Sequence, residues 1–275
     1  MNGKMKKTIV ILLIVLSVLI GCESKAGWQI KDSVLYIETQ DAFEEWMEYR
    51  EKCITNGTFE TDINLAVVAI VLRDGVQSVP DSAFCDMDKV EHVSLPNSLK
   101  VIGEEAFCGC LSLQEITIPP NVEEMYDGAF LLCESLTEIT IPPKIERLRA
   151  YVLSGCTGLK EIRVPKTVKW IEEEALLAEG AQRLVFEGTI DVIDNLMTYR
   201  MPDLSQVVFC ESPPGVYEYD HKEAIWPYGL AFLNGSDATI YYLNTNKEYW
   251  KEFGEQWLGC PLEGIDSLDD LPPLK

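Results

Sequence analysis

Apolar residues recur along this chain at a spacing of 23 positions, with one step of 22 between Leu159 and Ala181. Aligned in register, residues 90–158 give three successive segments of that length: VEHVSLPNSLKVIGEEAFCGCLS, LQEITIPPNVEEMYDGAFLLCES and LTEITIPPKIERLRAYVLSGCTG. A repeat of this length is typical of a solenoid, in which one coil cannot bury its own apolar face and stacks on its copies. We therefore predict a single elongated core.

The pattern within each coil predicts a short strand, a turn and two further apolar sides. An apolar residue starts the coil, and others follow three and five positions later, which places one face of a strand in the core. The coils start at Val67, Val90, Leu113, Leu136, Leu159, Ala181 and Leu204. Proline then turns the chain in four coils. A second apolar pair and an Ala-Phe pair, such as Ala106-Phe107, complete the coil.

The segment before the coils predicts a cover for the open end of the first coil. Residues 28–37 predict a β-hairpin. A helix follows, with Asp41 and Glu44 as a capping box and an end at Asn56-Gly57. Two of its aromatic residues, Trp46 and Tyr49, either cover the first coil, which we favour, or form a platform for a ligand.

The segment after the coils predicts a second cover and a tail. Residues 216–237 are rich in Tyr, Trp and Phe, and they either fold over the last coil or bind a glycan or protein. A strand is predicted over 238–243 and a helix over 246–257. Residues 258–275 contain Pro-rich ends and three aspartates, and we expect a loose acidic tail.

The first residues predict a signal peptide followed by a membrane anchor. Three lysines precede an apolar run over 8–20, which is too short to span a bilayer but fits a signal peptide. The run ends in Leu-Ile-Gly-Cys, which looks like a bacterial lipobox with Cys22 as the lipidated residue; the alternative is an ordinary secretory signal with a coincidental cysteine. Two acyl chains suffice for stable anchoring.

The predicted organisation therefore has five parts. They are a lipoprotein signal peptide at 1–21, a tether and N-terminal cap at 22–66, the solenoid at 67–214, a C-terminal cap at 215–257 and an acidic tail at 258–275. The expected location is the bacterial cell membrane, with the protein lipid-anchored and facing outward.

The net charge of the chain limits the kinds of molecule that it can bind. The chain carries −22 at pH 7, and removing the three lysines of the signal segment leaves −25. A polyanion repels phosphate backbones and anionic lipid headgroups, so we do not expect the chain to bind nucleic acid. A basic partner is permitted, although excess carboxylate also simply keeps an extracellular protein in solution.

The repeat pattern L-x-x-I-x-I-P-x-x-V-x-x-I-x-x-x-A-F-x-x-C resembles the BspA-like leucine-rich repeats of bacterial cell-surface proteins. The resemblance covers 67–214, and more weakly 28–37 and 238–257. Within it, 181–203 departs, with Glu187 for proline and Met197-Thr198 for Ala-Phe. It implies an α/β leucine-rich-repeat solenoid of about seven coils that is not an enzyme and that acts in protein binding or adhesion.

Cysteines divide into two columns of the repeat. Cys110, Cys133 and Cys156 share one coil position, and Cys85 and Cys108 share another two places earlier. We interpret the repeated cysteines as small apolar residues of the core. The alternatives are a metal or redox site at Cys108-x-Cys110 and extracellular disulfides, with a Cys210–Cys260 pair left open.

Catalytic motifs are missing from the sequence. It contains no G-x-S-x-G, H-E-x-x-H, phosphate loop or calcium loop, and its two histidines, His92 and His221, lie far apart. No metal or cofactor is therefore expected, although an unrecognised carboxylate pair stays possible.

The best candidate site is the outward face of the strands. Its stacked positions are His92, Glu115, Thr117, Glu138, Thr140, Glu161 and Arg163. Neighbouring parallel strands bring like positions to about 4.8 Å, so the three glutamates form an acidic strip. It either docks a basic protein segment, or a cation weakly, or is a solvated surface. On another exposed position, Trp170 either contacts a glycan or packs on Leu148.

Overall fold

The computed structural model describes residues 27–58, 63–64, 66–193, 200–212, 238–257 and 260–274. They form a β-solenoid of about seven turns with few helices, which confirms the predicted fold class. The sequence-based predictions for Cys22, for Met197-Thr198 and for the aromatic stretch 216–237 lie outside the described residues.

Short strands account for most of the regular structure. They are β1 Trp28–Lys31, β2 Val34–Thr39, β3 Ala69–Gly75, β4 Ser78–Val79, β5 His92–Ser94, β6 Val101–Ile102, β7 Glu115–Ile116, β8 Glu124–Met125, β9 Glu138–Ile139, β10 Arg147–Leu148, β11 Glu161–Val164, β12 Trp170–Ile171, β13 Arg183–Phe186, β14 Val192–Ile193, β15 Gln206–Phe209, β16 Thr239–Leu243, β17 Gln256–Trp257 and β18 Cys260–Ile265. The helices are α1 Gln40–Thr55 and α2 Lys247–Trp250, with 3-10 turns at Asn244–Asn246, Lys251–Phe253 and Leu268–Asp270.

The predicted coil register is confirmed by the strand pairing. Ala69 lies opposite His92, His92 opposite Glu115, and Glu115 opposite Glu138, all in parallel strands. After the 22-residue step in the sequence, Glu161 lies opposite Arg183, and Arg183 lies opposite Gln206. The ladder also extends beyond the predicted coils, because β2 pairs in parallel with β3.

Pairing on two sides of the solenoid changes at the coil formed by residues 136–158. On the first side the strand orders are β1-β2-β3-β5-β7-β9 and β11-β13-β15-β16-β18-β17, so β9 ends one sheet and β11 begins the next. On the second side the orders are β4-β6-β8 and β10-β12-β14. This coil therefore pairs with the preceding coil through β9 and with the following coil through β10.

The third side of each coil is the one that contains the Ala-Phe pair, such as Ala106-Phe107. Its backbone hydrogen bonds continue through the coil at which the strand pairing changes. There the amide of one coil donates to the carbonyl of the next: Phe107 N to Ala129 O at 2.9 Å, Phe130 N to Val152 O at 3.1 Å, and Leu153 N to Ala175 O at 3.1 Å. Because these bonds continue on both sides of 136–158, the third side holds the two halves in one stack.

The third side also uses a left-handed backbone position in successive coils. The column contains Ser82, Glu105, Gly128, Tyr151 and Glu174, with φ between 50° and 60°. Only one of the five is glycine, and this conformation costs other residues roughly 1–2 kcal/mol each. Stacking between coils, rather than residue type, therefore imposes the turn.

An aromatic stack fills the core behind the third side. The ring centroids of Phe84 and Phe107 are 5.3 Å apart, and those of Phe107 and Phe130 are 5.4 Å apart. Helix α1 continues the stack, since the Phe43 ring lies 5.5 Å from that of Phe84. Trp46 is fully buried in the same cluster. Its burial supports the covering role that we favoured over a ligand platform.

The N-terminus of α1 differs from the expected capping box. The N-cap is Thr39, whose hydroxyl accepts a hydrogen bond from Ala42 N at 3.1 Å. Asp41 lies two residues after Thr39, in the first turn of the helix, where its negative charge is stabilised by the positive end of the helix dipole. The assignment of Asp41 and Glu44 as the cap was wrong, because an equally good cap residue lies two positions earlier.

The last residues are more ordered than we expected. The predicted strand at 238–243 is found as β16, but the helix predicted for 246–257 is reduced to α2 and two 3-10 turns. In place of a loose tail, β18 pairs in parallel with β16. A turn follows it, in which Ser267 and Asp270 cap each other. An open edge at β16 explains this order, since it offers unpaired backbone groups to the following chain.

The cysteine column forms the expected buried ladder. Cys110, Cys133 and Cys156 have no exposed surface. Their thiols also donate hydrogen bonds to phenylalanine carbonyls of the preceding coil at 3.3, 3.2 and 3.1 Å. The sequence interpretation treated these residues as apolar only, whereas in the structure each one also contributes a weak polar contact between coils.

We expect Phe107→Ala to destabilise the protein by about 3–5 kcal/mol, because it removes the central ring of the stack and leaves a cavity. Urea unfolding followed by circular dichroism measures the change. The control is Tyr249→Ala, where the side chain is 59% exposed and the expected change is within about 0.5 kcal/mol. Equal losses in the two variants would contradict the role of the stack.

Candidate functional site

The outward strand positions lie on one surface, as the register predicted. We name the strand-face strip as His92, Glu115, Thr117, Glu138, Thr140, Glu161 and Arg163. All are exposed except Glu161, which is half-buried. Hollows of about 450 Å³ beside His92 and about 400 Å³ beside Thr140 interrupt the surface. The second hollow lies where β9 and β11 separate.

Two glutamates give the strip its charge. Glu115 and Glu138 are directly opposed in β7 and β9, and both are exposed. Like charges on opposed positions destabilise a sheet. Within the described part of the chain, no ion pair involves either carboxylate. The pair is therefore an uncompensated negative site on a rigid surface.

The third glutamate is in a different environment from the other two. Glu161 accepts from Arg163 Nε at 2.6 Å through one oxygen and from Arg183 Nη1 at 2.7 Å through the other. Its charge is balanced within the protein, so the expected row of three available glutamates is reduced to two. The sequence register places Arg183 beside Glu161 in the next coil, but it does not show that the two side chains bond to each other.

The strand face beyond Glu161 is covered by the end of the chain. Val185 and Val208 point outward from β13 and β15 but have no exposed surface. With Tyr241 and Ile265 they form a separate apolar cluster, against which Leu268 and Leu271 pack. The available strand face therefore ends near Glu161.

A polar contact fixes this cover at its edge. Arg183 Nη2 donates to the carbonyl of Pro272 at 2.6 Å, and Gln206 Nε2 donates to the same oxygen at 3.0 Å. Arg183 Nε also donates to Gln206 Oε1 at 2.6 Å. Sequence reasoning missed this arrangement, although outward-facing valines in place of threonines were a signal that something covers them.

Trp170 has an internal partner. The guanidinium carbon of Arg147, one coil earlier, lies 5.1 Å from the centre of the Trp170 ring. Arg147 Nη1 also bonds to Glu172 at 2.9 Å. A cation over one ring face is a stabilising contact between coils. The geometry thus favours a packing role for Trp170, with Arg147 as the partner that the structure shows.

A metal site requires several ligating side chains at one place in the fold. Among them, no group of three or more His, Cys, Asp or Glu side chains is arranged to hold a metal ion. Burial raises the pKa of the Cys110 thiol and so disfavours its ionised form. All eight cysteines in the described part are free thiols, including Cys210 and Cys260.

Residues 52–212 match the family described as the BspA type leucine rich repeat region, in six copies. The chain belongs to this family. Its members are typically found at the cell surface, and leucine-rich-repeat proteins generally bind other proteins and are generally not catalytic. Within the described residues, no helix combines the length and the apolar character that a membrane crossing requires.

Several solved structures are similar to this chain. A leucine-rich-repeat protein of Treponema pallidum is 19% identical, with 89% of this chain and 98% of that chain covered and a TM-score of 0.42. One from Bacteroides ovatus is 21% identical, with 73% and 61% covered and a TM-score of 0.36. A leucine-rich cell-surface protein of Faecalibacterium prausnitzii is 17% identical, with 54% and 55% covered and a TM-score of 0.38. No curated protein matches the chain significantly.

We expect Arg183→Met to release the covering segment, because it removes the shorter of the two hydrogen bonds to Pro272 O and leaves the half-buried Glu161 with one partner fewer. The expected loss of stability is about 2–3 kcal/mol, with new protease cleavage within residues 266–274. Limited proteolysis with mass spectrometry detects the cleavage.

The matched control is Arg163→Met, which removes the other arginine bound to Glu161. The Arg163 side chain is 45% exposed, so the expected loss is at most about 1 kcal/mol, with the covering segment still protected. Equal cleavage in both variants would contradict a specific role for Arg183.

Proposed function

We propose that this protein is a lipid-anchored, outward-facing surface protein that binds a partner protein through the strand-face strip. The partner is a host or bacterial protein with a basic segment. The observation that carries the proposal is the exposed, directly opposed pair Glu115 and Glu138.

Electrostatics supports a basic segment as the ligand. The pair stores a repulsion that a lysine or arginine placed between the two carboxylates would relieve. Thr117 and Thr140 lie beside the pair with hydroxyls that can donate or accept hydrogen bonds. The net charge of −22 raises the encounter rate with a cationic partner and does so most at low salt.

Shape supports a partner that approaches along the strands. The part of the strip that precedes Glu161 lies along β5, β7 and β9, whose neighbouring positions repeat at about 4.8 Å. The covering segment closes the face beyond Glu161. A bound segment would therefore lie over the first coils, between the hollow at His92 and the hollow at Thr140.

Anchoring is proposed from the sequence of the first 22 residues. The basic, apolar and Leu-Ile-Gly-Cys segments come in the order that a lipoprotein signal requires, and Cys22 would carry the lipid. An anchored solenoid with an exposed acidic strip would present that strip to the surroundings of the cell. Adhesion is the corresponding biological role.

The binding site is tested with the double variant Glu115→Lys/Glu138→Lys. It is expected to lose at least tenfold in capture of surface-extract proteins that bind the unaltered protein, because it converts attraction of a basic segment into repulsion. Pull-downs at two salt concentrations measure this, and binding to the unaltered protein is expected to weaken as salt increases.

Glu104→Lys/Glu134→Lys is the matched control, with the same charge change at exposed positions away from the strand face. It is expected to keep its binding partners. Circular dichroism verifies that both double variants are folded. Binding lost equally in both would indicate a general charge effect, and binding retained by both would move the site elsewhere.

The anchor is tested separately with Cys22→Ala. We expect this variant to leave the membrane fraction and to lose incorporation of a labelled fatty acid, whereas Ser24→Ala keeps both. Fractionation after an alkaline carbonate wash measures the first property. A Cys22→Ala protein that stays in the washed membranes would refute lipid anchoring.

A further inference from the structure

Cys85 and Cys108 occupy the same position in two successive coils. Backbone hydrogen bonds join the coils on both sides of this position, from Phe84 N to Ala106 O and from Asp86 N to Cys108 O, each at 2.8 Å. In-register residues of such a parallel ladder have Cα atoms about 4.8 Å apart. A disulfide requires about 4.4–6.8 Å, so the backbone allows the two cysteines to be joined.

The two side chains also point toward each other. A hydrogen-bonding interaction between the two thiols raises the pKa of Cys85 and lowers the pKa of Cys108, which places their side chains next to each other. Cys133 and Cys156 of the buried ladder also interact with each other, but both have no exposed surface and donate to main-chain carbonyls in the core. The juxtaposition of two thiols across coils at the surface is thus a property of the Cys85–Cys108 position.

The pair lies where a dissolved reagent can reach it. Cys85 is half-buried and Cys108 is 9% exposed. The residues that follow them, Asp86 and Gly109, line a hollow of about 620 Å³. By contrast, Cys110, two residues further along the same coil, has no exposed surface.

We propose that Cys85 and Cys108 are a disulfide-forming site that joins the first two coils beneath helix α1. The helix is tied to the same place, because Arg50 Nη2 donates to the carbonyl of Cys85 at 2.7 Å. The bond would secure the N-terminal end of the stack, where a solenoid otherwise has a coil with only one repeat neighbour.

The oxidant is a small-molecule disulfide, and the bond forms in two exchange steps. The thiolate of Cys108 attacks one sulfur of the reagent, forming a mixed disulfide and releasing one thiolate. Cys85 then loses its proton and attacks the Cys108 sulfur, which forms the protein disulfide and releases the second thiolate. Two cysteine thiols are oxidised, the reagent is reduced to two thiols, and the two protons pass to the released sulfurs.

The order of attack follows from the hydrogen bond within the pair. Donation from Cys85 lowers the pKa of the Cys108 thiol, and the same bond raises the pKa of Cys85. Cys108 is therefore the first to ionise. The mixed disulfide then forms on the sulfur that Cys85 faces, so the second step needs no rearrangement of the coils.

The test uses the full chain, reduced and then equilibrated with glutathione disulfide and glutathione at several ratios. We expect a linked pair of tryptic peptides, one containing Cys85 and the other Cys108, with a mass two hydrogens below the sum of the free peptides. The oxidised protein is expected to melt several degrees higher than the reduced protein, because closing the loop restricts the unfolded chain.

Three variants assign the bond. Cys85→Ser and Cys108→Ser are each expected to lose both the linked peptides and the rise in Tm. Cys110→Ala, which changes one of the two other cysteines in the tryptic peptide that contains Cys108, is expected to keep them. The direct detection of linked peptides in the unaltered chain does not depend on how well the variants fold.

Three results would overturn the proposal. The first is an unaltered chain that yields only glutathione adducts or free thiols at every ratio. The second is a Cys108→Ser chain that still yields the link, since Cys110 would then be the partner. The third is a linked chain that melts no higher than the reduced one.

Discussion

The third-side hydrogen bonds between coils are the contact on which the rest of the structure depends. Strand pairing on the other two sides changes at residues 136–158, so neither strand ladder runs through the whole stack. The bonds from Phe130 N to Val152 O and from Leu153 N to Ala175 O cross this region without a change in pattern. They keep the aromatic and cysteine columns in register across the change in strand pairing.

Much of this architecture followed from one periodicity. The spacing of apolar residues determined which residues face inward, and it gave the strand register correctly even across the short step before Arg183. Burial of one face admits one register only, since a shift by one residue would turn that face to solvent. The cysteine column was predicted for the same reason. Its hydrogen bonds to phenylalanine carbonyls were not, because the carbonyl that each thiol meets depends on the backbone of the preceding coil.

Prediction was less successful where distant segments meet. Nothing in the composition of residues 258–275 indicates that they pair with β16 and cover Val185, and the aspartates and prolines suggested the opposite. Likewise, Glu161 belongs to the same sequence column as Glu138 but is neutralised by arginines from its own coil and the next. A column in a repeat alignment specifies the position of a side chain, whereas its charge environment is set by side chains that the repeat does not constrain.

The left-handed positions on the third side have a consequence for how the protein assembles. Ser82, Glu105, Tyr151 and Glu174 hold a conformation that an isolated segment would abandon, and only the neighbouring coils compensate for it. A single coil is therefore less stable alone than its apolar content suggests, and the gain arrives when a second coil docks. Such coupling between neighbours makes the array cooperative: partly wound chains are rare at equilibrium, and the stack is either formed over many coils or lost over many coils.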